Sequence, residues 1–393
     1  MYLTKEEEKI YDGELGWAYQ VSMKILVKLG DLYGAKRLIP IESAHISGVS
    51  YKTIGEASIE FLRELAESGG RVKVKATTNP SGMDYEYTVF RNLPGDLIEN
   101  QRKIIDLYRK MGANTILSCT PYYLEPPERG VHIAWAESSA VIYANSLLGA
   151  WTNREGGPSA LASALIGKTP DYGLHQPENR CASVLVKVDA NLESESDYGA
   201  LGIYLGKILG ERIPLIQGLS ASREDFLKQM GAAIATTGMT SIFHLSGPRD
   251  RHEKMETITV GDGEVRETRE SLSTSSDKPE LIFIGCPHCS LNEIRRVAEL
   301  IRGKKVRKDI KFWVCTSRFI RRRAKDYVKL IEAAGGKVVC DTCAVVTWLR
   351  ELGIETLITN SAKTAHYAPS MSRVEVSFLP LKECIKAASR KII

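Results

Sequence analysis

Eight cysteines stand in this 393-residue chain, and four of them form two Cys-x-x-Cys pairs. Cys286 and Cys289 lie in 284-IGCPHCSLNE-293, directly after the apolar run 280-ELIFIG-285, while Cys340 and Cys343 lie in 337-KVVCDTCAVV-346. Spacing alone leaves three chemistries open. All four thiolates together would make a closed structural zinc site. One pair alone would make a redox dithiol. Thiolates drawn singly from separate loops would hold an iron–sulfur cluster, and a cluster with three protein ligands leaves one iron open as a Lewis acid. Each pair follows a full apolar run inside a large domain, which is unlike a small zinc knuckle. Neither pair has a thioredoxin-like context.

The elements that must position these thiols are legible in the C-terminal third. Apolar runs at 280-ELIFIG-285, 311-KFWVCT-316, 337-KVVC-340, 355-ETLIT-359 and 374-VEVSFL-379 predict strands, and 291–303 and 320–336 predict helices between them. Such alternation implies βαβ units and a mainly parallel sheet. The middle repeats the pattern, with strands expected at 182–190, 213–218 and 240–247 and helices at 198–210 and 222–238. Toward the N-terminus, helices are expected at 17–34, 54–70 and 98–112, and strands at 71–78 and 113–119. On this reading Cys119 ends one strand, Cys286 follows another and the Cys340–Cys343 pair follows a third. Ligands of open α/β sheets sit at the carboxyl ends of strands, so three strand ends could converge on one site. Cys181, Cys315 and Cys384 lie in or near apolar runs and read as buried small hydrophobes.

The bulk composition narrows the class. With 43% hydrophobic and 26% charged residues, the chain has ordinary globular chemistry, and its length calls for two or three domains. A division into 1–165, 166–270 and 271–393 follows the pattern, the polar stretch 261–280 marking the last boundary. Net charge is only +5, from 53 basic and 48 acidic residues. The one dense basic run, 318-RFIRRRAK-325, reads as a solvated helix face, so no nucleic-acid partner is expected. The first residues, MYLTKEEEKIYDGELG, lack the apolar core of a secretory signal, and no run approaches the ~18 apolar residues of a membrane span. The thiols are therefore expected in a reducing cytoplasm.

The stretches 118-SCTPYY-123, 137-ESSAVIYANSLLGAWTNREGGPSAL-161, 178-ENR-180, 285-GCPH-288, 341-DTC-343 and 359-TNSAKTAHYAPS-370 resemble, in order and over nearly the whole chain, the aconitase X family. The resemblance implies a large subunit of three α/β domains within the aconitase superfamily of dehydratases. It implies a [4Fe–4S] cluster held by Cys119, Cys286 and Cys343 near strand ends, with Cys289 and Cys340 outside the ligand set. It also implies a small swivel-domain subunit as partner, carrying the serine that serves as catalytic base. Archaeal members of the family dehydrate (R)-5-phosphomevalonate to trans-anhydromevalonate 5-phosphate in the modified mevalonate pathway to isoprenoids. Bacterial members dehydrate cis-3-hydroxy-L-proline and vary around the GCPH position, so Cys286 favours the archaeal activity. A zinc-stapled structural or binding protein is the alternative of a different class.

A phosphorylated 3-hydroxy acid needs an anion cradle. Gly48, Val49 and Ser50 precede a predicted helix and offer backbone N–H groups and a hydroxyl. Asn79 and Pro80 close a predicted strand, Ser138 and Ser139 open an apolar helical stretch, and Arg154 and Lys363 are the charged candidates. The duller readings are a turn for Gly48 and Asn79, a helix cap for Ser138, a carboxylate near Glu155 for Arg154, and a structural role for Lys363. No Ser–His–Asp set stands out to act as base. His45, His132, His288 and His366 read as core or loop histidines, although His288, between two cysteines, is placed to orient a thiolate.

Overall fold

The structure, a computed structural model, describes residues 1–219, 223–245, 255–274 and 278–391. The chain forms two compact units. One is Met1–Ser81 with Pro94–Cys181; the other is Gly82–Leu93 with Ala182–Ile393.

The first unit contains α1 (Trp17–Leu32), β1 (Ser43–Ile46), α2 (Tyr51–Glu67), β2 (Lys75–Thr78), α3 (Gly95–Lys110), β3 (Ala134–Trp135), α4 (Ser138–Tyr143) and α5 (Gly157–Ile166). The strands form a parallel sheet in the order β2-β1-β3. Met23 and Leu26 of α1 bury against Ala162 and Ile166 of α5. In α3, Gln101, Ile104, Ile105 and Tyr108 are the buried face, the stripe that a 3.6-residue period produces. Two expectations change here. The helix expected at 54–70 begins at Tyr51 and is broken at Gly55 (φ +64°), which lacks the β-carbon that would resist that conformation. The strand expected at 113–119 is not formed as a strand. It makes one parallel bridge, Thr77 with Asn114, and Leu117 (φ +49°) turns the chain before a ladder can extend.

The second unit opens with β4 (Val184–Val188), α6 (Glu195–Leu209), β5 (Pro214–Gln217), α7 (Glu224–Thr237), β6 (Glu256–Val260) and α8 (Asp262–Ser271). Its first sheet is parallel, in the order β5-β4-β6. The strand expected at 240–247 is reduced to a single bridge between Leu215 and His244, and residues 246–247 lie outside the described set. Ser222, expected to start a helix, also lies outside it. The polar stretch 261–280, expected to mark a boundary, contains α8. Its start is capped by Glu264 accepting from Gly261 N–H at 2.9 Å, and it buries Val265 and Thr268. Residues 275–277 of that stretch are outside the described set.

The remainder is β7 (Leu281–Ile284), α9 (Leu291–Ile301), β8 (Lys311–Thr316), α10 (Arg318–Arg323), α11 (Lys325–Ala333), β9 (Lys337–Cys340), β10 (Thr356–Thr359), α12 (Ala362–Ser372), β11 (Glu375–Phe378) and α13 (Leu381–Ala388). The five strands are all parallel, in the order β9-β8-β7-β10-β11. Every residue of β7 is buried, the continuous apolar signature of a strand covered on both faces. Where one helix was expected at 320–336, Ala324 (φ −92°, ψ 20°) separates α10 from α11. The order runs outward in both directions from β7, so the topological switch lies between β7 and β10, where open α/β sheets bind ligands. Among the described residues, no helix is long and apolar enough to cross a membrane.

Candidate functional site

In the first unit, three adjacent strand ends carry the expected anion-binding residues. After β1 the chain turns through Gly48 (φ +77°) into α2. This loop is held from α3: Gln101 Nε2 donates to Val49 O at 2.8 Å, Tyr51 N–H donates to Gln101 Oε1 at 3.0 Å, and Tyr108 Oη donates to Gly48 O at 3.3 Å. Val49 and Ser50 are buried. After β2, Asn79 N–H donates to Ile46 O and its amide donates to Glu137 Oε2 at 2.7 Å. After β3, Glu137 caps α4, and its Oε1 accepts from Ser139 Oγ at 3.0 Å. Asn79, Glu137 and Ser139 are thus one hydrogen-bonded group, and Ser138 opens the same helix.

His45, read from the sequence as a core or loop histidine, lies fully buried beside this group. Its Nδ1 meets Thr77 Oγ1 at 2.8 Å, and its Nε2 has no hydrogen-bond partner. Burial pushes its pKa down to about 4, against the opposing charge of Glu137 and a contact with Asn79, so the ring is neutral near pH 7. Glu137 is the residue that the motifs missed. Its signal was the acidic side chain directly between the apolar run 131-VHIAWA-136 and a Ser-Ser helix start.

Cys119 lies on the irregular segment beside β2. Asn114 N–H donates to Ala76 O and Ser118 N–H to Thr78 O, so the cysteine still stands near the carboxyl end of a strand, though not at the end of its own. It is buried, with 7% exposure. Arg154 is exposed, and the carboxylate of Glu155 goes elsewhere, accepting from Ser159 Oγ at 2.5 Å and Thr169 Oγ1 at 3.4 Å. The loop bearing Arg154 runs close to the β1 end: a β-carbon on Gly157 would lie 2.7 Å from Ser47 O. Cys181, expected to be buried, is exposed, because a short 3₁₀ turn at Pro177–Arg180 takes the place of strand before it.

In the second unit, β7 ends at a glycine that the geometry requires. Gly285 has φ +112°, and a β-carbon there would lie 2.3 Å from Cys315 O. The loop that follows is fixed at every residue that matters. Ser361 Oγ, the cap of α12, donates to Cys286 O. Cys289 N–H donates to Cys315 O at 2.9 Å, and Thr316 Oγ1 donates to Cys289 O at 2.7 Å. Buried Lys228 donates to His288 O at 3.2 Å and pairs with Glu293, which closes the capping box of α9 with Ser290. His288, fully buried, donates from Nε2 to Thr342 O at 2.9 Å, tying the Cys286 loop to the Cys343 loop.

The members of the two Cys-x-x-Cys pairs differ in where they lie. Cys340 ends β9 inside the core, and burial, with Asp341 and Asp84 adding to it, pushes its thiol well above the ordinary range. Burial does the same to Cys315 and Cys384, which are the buried hydrophobes expected. Cys286 and Cys343 lie in loops at strand carboxyl ends, and Lys363, half-buried, stands in the first turn of α12 across the switch point from Cys286. Among the described residues, no three or more His, Cys, Asp or Glu side chains are gathered closely enough to hold a metal ion, the four pair cysteines included.

Parallel sheets whose carboxyl ends carry buried thiols, tightly turned loops and a lysine are the architecture of an α/β enzyme with its ligand site at strand ends. The chain belongs to the aconitase X family: the aconitase X first, second and third domains match residues 1–178, 182–270 and 279–390. It is 48% identical to the phosphomevalonate dehydratase large subunit of Methanothermobacter thermautotrophicus, over 96% of each chain. To the cis-3-hydroxy-L-proline dehydratase of Pseudomonas aeruginosa it is 33% identical, over 97% of this chain and 69% of that one. The crystal structure of Thermococcus kodakaraensis aconitase X in its holo-form superposes with a TM-score of 0.92 at 45% identity, covering 99% of this chain and 100% of that one.

Proposed function

We propose that this chain is the large subunit of a phosphomevalonate dehydratase. On this reading it is a hydro-lyase converting (R)-5-phosphomevalonate to trans-anhydromevalonate 5-phosphate on the modified mevalonate route to isoprenoids. The observation that carries the reading is the likeness, at 45–48% identity, to four archaeal proteins named phosphomevalonate dehydratase large subunit. The cis-3-hydroxy-L-proline dehydratases, at 33–34% identity, favour the same reaction class on a different acid, which is the second reading.

The residue chemistry suits an iron–sulfur cluster: Cys119, Cys286 and Cys343 are buried cysteines in loops, none of them in a disulfide. In this proposal these three are the ligands of a [4Fe–4S] cluster. When bound, the cluster supplies an open iron as Lewis acid toward the substrate carboxylate and the departing hydroxyl. The chain's own groups bind and orient. Lys363, at the start of α12, adds a full charge to the positive end of that helix. Gly48, Val49 and Ser50, at the start of α2, and Pro80 shape backbone around a second anion. The amide of Asn79 and the hydroxyls of Ser138 and Ser139 supply directed hydrogen bonds, with Glu137 fixing the rotamers of Asn79 and Ser139. Arg154, exposed on its loop, supplies a planar cation for phosphate or carboxylate.

The remaining task is removal of the C2 proton. In this reading a small swivel-domain subunit brings a serine as base, and eight cysteines with no disulfide among them suit a reducing cytoplasm. Anaerobic assays of the chain with and without its small partner test this division of labour. Turnover is expected only with both, and dehydration by this chain alone would overturn the donated base.

A further inference from the structure

The reading above makes Cys343 a cluster ligand, and the following inference rests on it. The chain leaves β9 through Asp341, which adopts φ +65°, a left-handed conformation that is costly for a residue with a β-carbon. An ion cluster holds it there. Arg318 Nε donates to Asp341 Oδ2 at 2.7 Å, and its Nη2 donates to Asp84 Oδ1 at 2.7 Å. The other oxygen of Asp84 accepts the N–H of Cys340 at 2.8 Å. Glu86 completes the set, 2.5 Å from Arg318 Nη1, but lies at the rim with its side chain 65% exposed. The side chains of Asp84 and Asp341 are 1% and 5% exposed.

Burying two carboxylates against one guanidinium costs desolvation that the pairing barely returns, so such a group is poor evidence for a stabilising role. Nor is it needed to fasten the 82–93 segment. Tyr87 and Phe90 of that segment already pack on Trp313, with ring centroids 6.0 and 5.7 Å away, and Phe90 is buried. What the clamp does fix is the backbone on both sides of the Cys340–Asp341 peptide. One residue further on, His288 holds Thr342 O, and the next residue is Cys343.

We infer that Arg318 and Asp84 are positioning residues for the Cys343 thiolate: they lock the left-handed turn at Asp341 from which that ligand is presented. The test uses the two-subunit protein with its cluster reconstituted anaerobically. It compares Arg318→Gln, Arg318→Lys, Asp84→Asn, Glu86→Gln and Cys343→Ala. The readouts are iron per chain, the rate at which the visible absorbance decays under a chelator, and the thermal midpoint of the cluster-free protein. Arg318→Gln and Asp84→Asn are expected to lose the cluster about 10-fold faster or more, the range typical of residues that orient metal ligands. Arg318→Lys, which keeps the charge but not the fork, is expected to fall between them and the native protein with its cluster-free midpoint unmoved. Glu86→Gln is expected to match the native protein.

Native decay rates in Arg318→Gln and Asp84→Asn, alongside loss of iron in Cys343→Ala, would overturn the positioning role and leave the ligand assignment standing. Full iron in Cys343→Ala would instead overturn the ligand assignment beneath it. If either charge-removing variant fails to fold, Arg318→Lys decides: a native decay rate sinks the inference.

Discussion

At the scale of single residues, the members of the two Cys-x-x-Cys pairs differ in position more than their equal spacing suggests. All four are buried, but Cys340 ends a strand inside the core and the backbone of Cys289 is bonded to Cys315 and Thr316, while Cys286 and Cys343 lie in the irregular segments that follow β7 and β9. Cys286→Ala and Cys119→Ala are each expected to abolish iron retention after anaerobic reconstitution, whereas Cys289→Ala is expected to keep it. Iron analysis of the three variants checks this, and equal loss in all three would contradict the separation. A second residue-level expectation concerns acid. Burial lowers the pKa of His45 to about 4 and of His175 to about 3. Both values are depressed, so the unfolded chain takes up protons that the folded chain refuses. This contribution to stability is whole above the unfolded histidine value of about 6.5 and is lost as pH falls toward the folded values. The thermal midpoint is therefore expected to drop between about pH 6.5 and about pH 4, and the slope over that window to be shallower in His45→Gln. An identical slope in the variant would show that His45 is not a source of the loss.

At the scale of elements, the C-terminal sheet was legible because its signals are local. Runs such as 311-KFWVCT-316 and 337-KVVC-340 are strands over those same residues, since a parallel strand buried on both faces must be continuously apolar. The failures have equally local causes. Residues 113–119 carry a strand's composition, but the turn at Leu117 stops the ladder, and no propensity reports a single left-handed residue. Residues 261–280 read as a boundary, and the matched second and third domains do part between 270 and 279, but the polar residues before that gap form α8, where a capping interaction and two buried side chains suffice to hold a helix. The polar group of His45, Asn79 and Glu137 was only partly visible, because its members are 34 and 58 residues apart along the chain and meet only through the order of the sheet. The element-level expectation is Gly285→Ala. With φ +112° and a carbonyl 2.3 Å from the new methyl, it is expected to destabilise the second unit by about 3 kcal/mol or more. Chemical denaturation of the cluster-free protein measures this, and an unshifted midpoint would mean that the turn tolerates a side chain.

At the scale of the molecule, the dehydratases among the chain's relatives turn attention to a small-molecule substrate. Buried thiols near strand ends occur in both units, Cys119 in the region matched by the family's first domain and Cys286 and Cys343 in that matched by its third. The substrate is the central claim, and it has a direct measurement. The chain and its small partner, reconstituted anaerobically, are incubated separately with (R)-5-phosphomevalonate and with cis-3-hydroxy-L-proline, and the products are separated. The account expects trans-anhydromevalonate 5-phosphate from the first and no reaction of the second; dehydration of the hydroxyproline with phosphomevalonate left intact would contradict it.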